Sequence, residues 1–197
     1  MIINESGLIA AMKRAYRADG YTVLNSGGEV AVYTENWFVL AKRPLLPRKV
    51  LATIVEHMGM IPEVDMPTSI AKDEEPQLVL RETAADDMEH WRGGGRGEEV
   101  TMVPVIMQGY QIYQPPGGGA CWGIHLYLMN MLDRDAVEYG GADVIDENRL
   151  MWTADGEAIV INAVRKARSS WAKEWERAVW NALEGVDLHK AEQSTGR

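Results

Sequence analysis

The chain has 197 residues, with 20 Lys+Arg against 29 Asp+Glu for a formal charge of −9, and 46 % hydrophobic content. That length allows one well-buried core or two small ones and, with this composition, excludes a disordered tail, a collagen-like fibre and a disulfide-stapled mini-protein. A single Cys, no run of about 18 apolar residues and a start, Met1–Glu5, unlike a signal peptide lead us to expect a soluble, cytoplasmic protein.

The first segment reads as helix, three strands, helix. Leu8, Met12 and Ala15 fall at helical spacing from Ser6 onward, and Gly20 suits a helix stop. Tyr21–Leu24 and Val30–Tyr33 flank Asn25-Ser26-Gly27-Gly28, a hairpin signal, and Trp37–Leu40 continues as a third strand. Pro47 fits a first helical turn, followed by an apolar face of Val50, Leu51, Ile54, Val55 and Met58 before Gly59.

In the middle, Gln77–Leu80 reads as a strand, and Thr83 is placed to cap a short acidic helix running to Trp91. After the loop Gly93–Gly97, Val100–Met107 and Tyr110–Tyr113 read as paired strands, with Pro104 arguing for an edge position. Pro115–Gly119 breaks the chain, and Ile124–Val137 is predicted as helix. The spacing then predicts a long amphipathic C-terminal helix from about Asp155 to Gly185. Val160, Val164, Ala167, Trp171, Trp175, Ala178 and Ala182 would form its buried stripe, with Trp171 and Trp175 docked on the sheet, on a partner helix or in a homodimer seam. One α+β domain over residues 1–187 is expected, with a polar tail from Leu188.

Charge is unevenly spread. Residues 1–60 carry seven basic and five acidic side chains, residues 61–160 six and 19, and residues 161–197 seven and five. An acidic field of this kind disfavours non-specific nucleic-acid binding and favours basic partners. Asp73, Glu74, Glu75, Asp86, Asp87 and Glu89 are the candidate acidic face; surplus carboxylates that merely keep the protein soluble are the plainer reading. On the predicted helix, Lys166, Lys173 and Arg177 share one face with Trp180, a combination that could stack on a base or anchor a protein.

Chemistry-bearing motifs are sparse. No P-loop, dinucleotide fingerprint, zinc Cys pair or His-Glu-x-x-His is present. Neither Asp73-Glu74-Glu75 nor Asp143, Asp146 and Glu147 has the spacing of a calcium loop. No cofactor or metal is therefore expected. Cys121, just ahead of the predicted helix, is the one candidate nucleophile, because a helix N-terminus favours the thiolate.

Three resemblances add to these readings. Gly119-Ala120-Cys121-Trp122 resembles the surroundings of the nucleophile in papain-like cysteine proteases, which would make Cys121 the nucleophile of a hydrolase; no His partner is recognisable beside it, His125 lying one turn on. The helix, the Gly-Gly hairpin and the strand ending Val39-Leu40-Ala41-Lys42-Arg43 resemble the core of restriction-endonuclease-like nucleases. That family's metal-binding positions are filled here by Val30, Ala31, Val32 and Leu40, so an inactive copy is implied, with Lys42 retained. Leu46–Gly59, Met102–Ile106 and Tyr110–Gln114 are similar to small accessory proteins of bacterial prophages and integrative elements, over about the first 125 residues. This third resemblance implies a non-enzymatic protein that binds and inhibits a host defence protein or nucleoprotein, in the anti-CRISPR manner, with a guide-RNA-bearing Cas nuclease among the partners considered. A nucleic-acid-binding module using the C-terminal helix remains an alternative.

Overall fold

The structure, a computed structural model, is described for residues 1–79, 97–135 and 141–190. It is a mixed α+β fold in which eleven antiparallel strands form one sheet. Helix α1 (Glu5–Arg17), strands β1 (Tyr21–Ser26), β2 (Glu29–Tyr33) and β3 (Trp37–Lys42), and helix α2 (Arg48–Met58) come first. Strands β4 (Thr68–Ile70), β5 (Gln77–Leu78), β6 (Glu99–Met107), β7 (Tyr110–Gln114) and β8 (Trp122–His125) follow, then the four-residue helix α3 (Leu126–Met129). Strands β9 (Ala142–Asp146), β10 (Arg149–Ala154) and β11 (Glu157–Asn162) precede helix α4 (Glu174–Glu184).

The sheet order is β5-β4-β1-β2-β3-β11-β10-β9-β6-β7-β8. The first three strands therefore do not stand apart as a separate unit: β3 pairs with β2 on one side and with β11 on the other, Val39 lying opposite Ile159. The period-two alternation of a strand explains the burial on both sheet faces. Val23, Val30, Val32, Val39, Ile159, Ile161, Leu150 and Trp152 join Leu8 and Met12 of α1 and Val50 and Ile54 of α2 in the main core. Their neighbours Leu24, Ala31, Leu40, Val160 and Met151 form a second cluster on the opposite face.

Strand β6 is the joint of the sheet. Its first residues pair with β9, Glu99 opposite Asp143, and from Thr101 on it pairs with β7. The expected edge position for Pro104 holds locally: β6 pairs with β9 only at Glu99 and Val100, so at Pro104 its one neighbour is β7, and there the register shifts so that no ladder bond is missed. Gln111 fills the irregularity, its amide donating to the carbonyls of Val103 and Val105.

Two predicted helices are corrected. The segment predicted as one helix from Asp155 to Gly185 is first a strand, then a connection, and only then the eleven-residue α4. Asp155-Gly156 forms a two-residue hairpin loop, Ala154 facing Glu157, with Gly156 at φ 80°. Asp-Gly is a strong hairpin pair, and Ala158-Ile159-Val160-Ile161 is rich in β-branched residues that favour a strand. The helix predicted over Ile124–Val137 is shortened at its start, since Trp122–His125 forms β8 on the sheet edge, and α3 holds only four residues. The acidic helix predicted over Thr83–Trp91 lies outside the described residues. No described helix is long and apolar enough to cross a membrane.

Candidate interaction surface

Helix α4 is fixed to the outer face of β6–β8 by three attachments. The first is Trp180, fully buried in a small cluster with Val103, Ile112, Cys121 and Leu188. Its ring occupies the space left by Gly123 of β8, where a Cβ would come within 2.6 Å of Trp180 Cη2. Gly123 also exchanges two backbone hydrogen bonds with Val164, which brings the chain from β11 across to α4. The second is Gln114, fully buried at the end of β7. Its amide donates to the carbonyls of Gly119 (3.1 Å) and Val186 (2.9 Å), and its Oε1 accepts the Leu188 N–H at 2.9 Å. Leu188, assigned by sequence to the polar tail, is accordingly buried. The third is Glu184, whose Oε1 accepts from Arg165 Nη2 (3.1 Å) and from the Cys121 N–H (3.2 Å), while the Arg165 guanidinium lies over the Trp122 ring.

These attachments reverse the faces read from the sequence. Trp180, assigned to an outward basic face, is 0 % exposed, whereas Trp171 and Trp175, assigned to the core, are 94 % and 55 % exposed. Of the three residues grouped by helical spacing, Trp180 turns into the sheet, whereas Lys173 and Arg177 stay exposed. Lys166 is not on the helix at all: its Nζ lies 3.8 Å from Glu176 Oε1 and above the Tyr110 ring. Lys173 sits at the start of α4, its N–H donating to the Glu176 carboxylate, which that bond holds below the usual carboxylate range. A basic face crowned by Trp180 does not exist.

The acidic candidates separate as well. Asp73, Glu74 and Glu75 are exposed on the turn between β4 and β5, at one edge of the sheet, with Lys72 beside Asp73 at 3.8 Å. Asp86, Asp87 and Glu89 lie outside the described residues. A different acidic grouping appears where β6 meets β9. Glu99 and Asp143 face each other across the strand pair, with the exposed Glu98 beside them in the chain. Partial burial and then the Glu99 charge push the Asp143 carboxyl above its ordinary range. Among the described residues no cation forms an ion pair with either. The sequence signal was present in Glu98-Glu99 and Asp143, but the pairing of residues 44 apart needed the topology.

Cys121 does not have the setting of a nucleophile. It precedes a strand rather than a helix, so no helix dipole acts on it. Burial and the neighbouring Glu184 charge push its thiol up to about 11. Its Sγ lies 3.5 Å from Gln114 Nε2 and 3.7 Å from the Gly119 carbonyl. The nearest candidate base by sequence, His125, instead caps α3 through Nδ1 and packs against Tyr110 and Tyr127. Alkylation by iodoacetamide at pH 7 is therefore expected to be slow in the folded protein and fast after unfolding. A burst of labelling at pH 6 would contradict this arrangement.

Lys42 lies 3.6 Å from the exposed Asp155 carboxylate, and no group of three or more His, Cys, Asp or Glu among the described residues could hold a metal ion. A cleft of about 920 Å³ opens at the other end of the sheet, between α1 and the ends of β1–β3, with Arg14, Tyr33, Trp37 and Tyr127 among its walls. Among the described residues that line it there is no Cys or His, and Arg14 is stacked on the Tyr127 ring at 4.2 Å.

No protein-family model matches the chain, and no curated protein matches it at a significant level.

Proposed function

We propose that the protein is a non-enzymatic binding protein whose acidic surface docks on a cationic site of a host protein or nucleoprotein. The Glu99–Asp143 juxtaposition, paired by no cation among the described residues, carries this reading. Like charges directly opposite on adjacent strands are unfavourable, and a fold that keeps them without a cation gains when a cationic partner supplies one. The resemblance to accessory proteins of prophages and integrative elements supports placing the partner among host defence systems. The basic channels of a guide-RNA-bearing nuclease are one such surface. Charge-driven docking of this kind is fast and salt-sensitive. The hydrolase reading loses its support with the raised Cys121 thiol. The nucleic-acid reading loses its stacking ring with the burial of Trp180, which leaves Lys173 and Arg177 exposed without it.

The test is a pull-down from bacterial lysate at low and moderate salt, with the wild type and with Glu98→Lys/Glu99→Lys. Recovery of a nucleoprotein in proportion, lost with the reversed charges and weakened by salt, supports the reading. An empty pull-down, or capture indifferent to the reversal, rejects it.

The isolated protein should also show the cost of the pair. Glu99→Gln is expected to raise stability at pH 7 by about 0.2–1 kcal/mol. Because the folded-state pKa of Asp143 is raised, this site penalises the native state above that pKa and the penalty fades as pH falls through it. The gain from Glu99→Gln should therefore vanish in acid, as urea unfolding at pH 7 and pH 3.5 would show; an equal gain at both would refute the charge origin.

A further inference from the structure

Between Glu99 and Asp133 the chain holds no Asp, Glu, Lys or Arg, although its net charge is −9. That stretch builds most of β6, all of β7 and β8, and α3; its one basic side chain is His125, the last residue of the edge strand β8. Three of its rings and a cation at either end form a continuous row. The Arg14 guanidinium of α1 lies over the Tyr127 ring at 4.2 Å. Tyr127 meets His125 at 4.6 Å, His125 meets Tyr110 at 5.4 Å, and Lys166 Nζ stands over Tyr110 at 5.7 Å. We propose that the row Arg14–Tyr127–His125–Tyr110–Lys166 is a binding track for single-stranded nucleic acid.

Three observations select that occupant. The first is the order of groups, with rings between two cations. Single strands are held by rings on which bases stack and by cations that follow the phosphates. An acidic peptide would use the cations and leave the rings idle. The rings also meet at an angle: His125 is inclined 59° to Tyr127 and 67° to Tyr110. None of them therefore spends its face on the next, as parallel stacking would.

The second is the set of groups left free. Arg14 is exposed and forms no ion pair among the described residues. With its flat face on Tyr127, the N–H groups along its edge remain for a phosphate. His125 is exposed as well, and its Nδ1 accepts the Tyr127 N–H. The proton of the neutral ring then sits on Nε2, a donor with no partner among the described residues. Lys166 is shared, since its Nζ lies 3.8 Å from Glu176 Oε1.

The third is the local field. Residues 61–160 carry 19 acidic side chains, and none of them falls between Glu99 and Asp133. The charge that repels phosphate elsewhere on the molecule is thus missing from the chain under the rings. Among the described residues Glu176 is the one carboxylate ion-paired with the row. At the Arg14–Tyr127 end the row opens into the cleft of about 920 Å³, which gives an unstacked base room beside Asn36 and Tyr33. The row lies at the β8 edge, two strands from β6 and its Glu99–Asp143 pairing, and does not rest on the function proposed above.

Fluorescence anisotropy of labelled oligothymidylate and oligouridylate with the purified full chain tests the proposal without any protein partner. Both strands should bind at low salt, and a preference for one names DNA or RNA as the source. The same strand annealed to its complement should bind about tenfold more weakly or worse, because a duplex hides its base faces. Two phosphate contacts predict a slope of log K against log salt of about −1.4, falling to about −0.7 in Arg14→Gln. Tyr127→Leu should cost about tenfold or more in affinity, the scale of one base–ring stack, whereas Tyr127→Phe keeps the ring and should bind like the wild type. His125→Ala, at an exposed position, should weaken binding in the same direction and serves if Tyr127→Leu does not fold. No binding of either strand, duplex bound as tightly as single strand, or affinity indifferent to both ring deletions would overturn the assignment.

Discussion

Trp180→Ala is expected to destabilise the protein by about 3–5 kcal/mol, the range for truncating a large buried aromatic, while Trp171→Ala changes stability by less than about 0.5 kcal/mol. The contrast follows from the seat of each ring. Trp180 is enclosed by Val103, Ile112, Cys121 and Leu188 and fills the hollow above Gly123, so its removal opens a cavity between helix and sheet. Trp171 is 94 % exposed and loses little. Gly123→Ala should act on the same contact from below, because its Cβ collides with Trp180, costing about 1–3 kcal/mol through overpacking. Urea denaturation compares the three. Similar losses for Trp180→Ala and Trp171→Ala would mean that the faces of α4 are wrongly assigned.

Gln114→Leu is the second large effect, expected at about 2–4 kcal/mol. The substitution preserves size but leaves the Val186 carbonyl and the Leu188 N–H without partners in a buried place, each worth roughly 1–3 kcal/mol. Gln114→Glu should be no better, since a carboxylate would face the carbonyls of Gly119 and Val186 in place of a donor. The damage should be local. Amide exchange in residues 174–190 should accelerate strongly, while β1–β3, whose core contacts do not involve Gln114, keep their protection. Uniform loss of protection across the sheet would show instead that α4 and the sheet unfold as one unit.

Local chemistry was legible where one segment decides its own conformation. The Gly27-Gly28 hairpin and the Pro47–Gly59 segment carry their instructions within about a dozen residues, and the elements there match those signals. The C-terminal third misled for a physical reason. Steps of three and four linked apolar residues of β11 to those of α4, although Asp155-Gly156 and the β-branched run after it pointed to a hairpin. Within α4 the period was right and the direction wrong, because Trp175 and Trp180 lie on different sides of the helix and either ring can be the buried one. Only the hollow at Gly123 and the Gln114 clamp decide which of them points inward, and both lie more than 50 residues away in sequence. The Glu99–Asp143 pair was hidden for the same reason: it exists only through the register of β6 on β9.

The pairing of β3 with β11 has a consequence for how the chain reaches this state. Residues 37–42 meet residues 157–161, so one edge of the Trp37–Lys42 strand has no ladder partner until most of the polypeptide has been synthesised. Closing so long a loop is entropically costly, and sheets dominated by distant pairings fold slowly. During that interval the nascent chain exposes Trp37, Phe38, Val39 and Leu40 on an open strand, a template for mispairing. Refolding yield should accordingly fall as protein concentration rises, and a fragment ending before β10 should be markedly less soluble than the full chain.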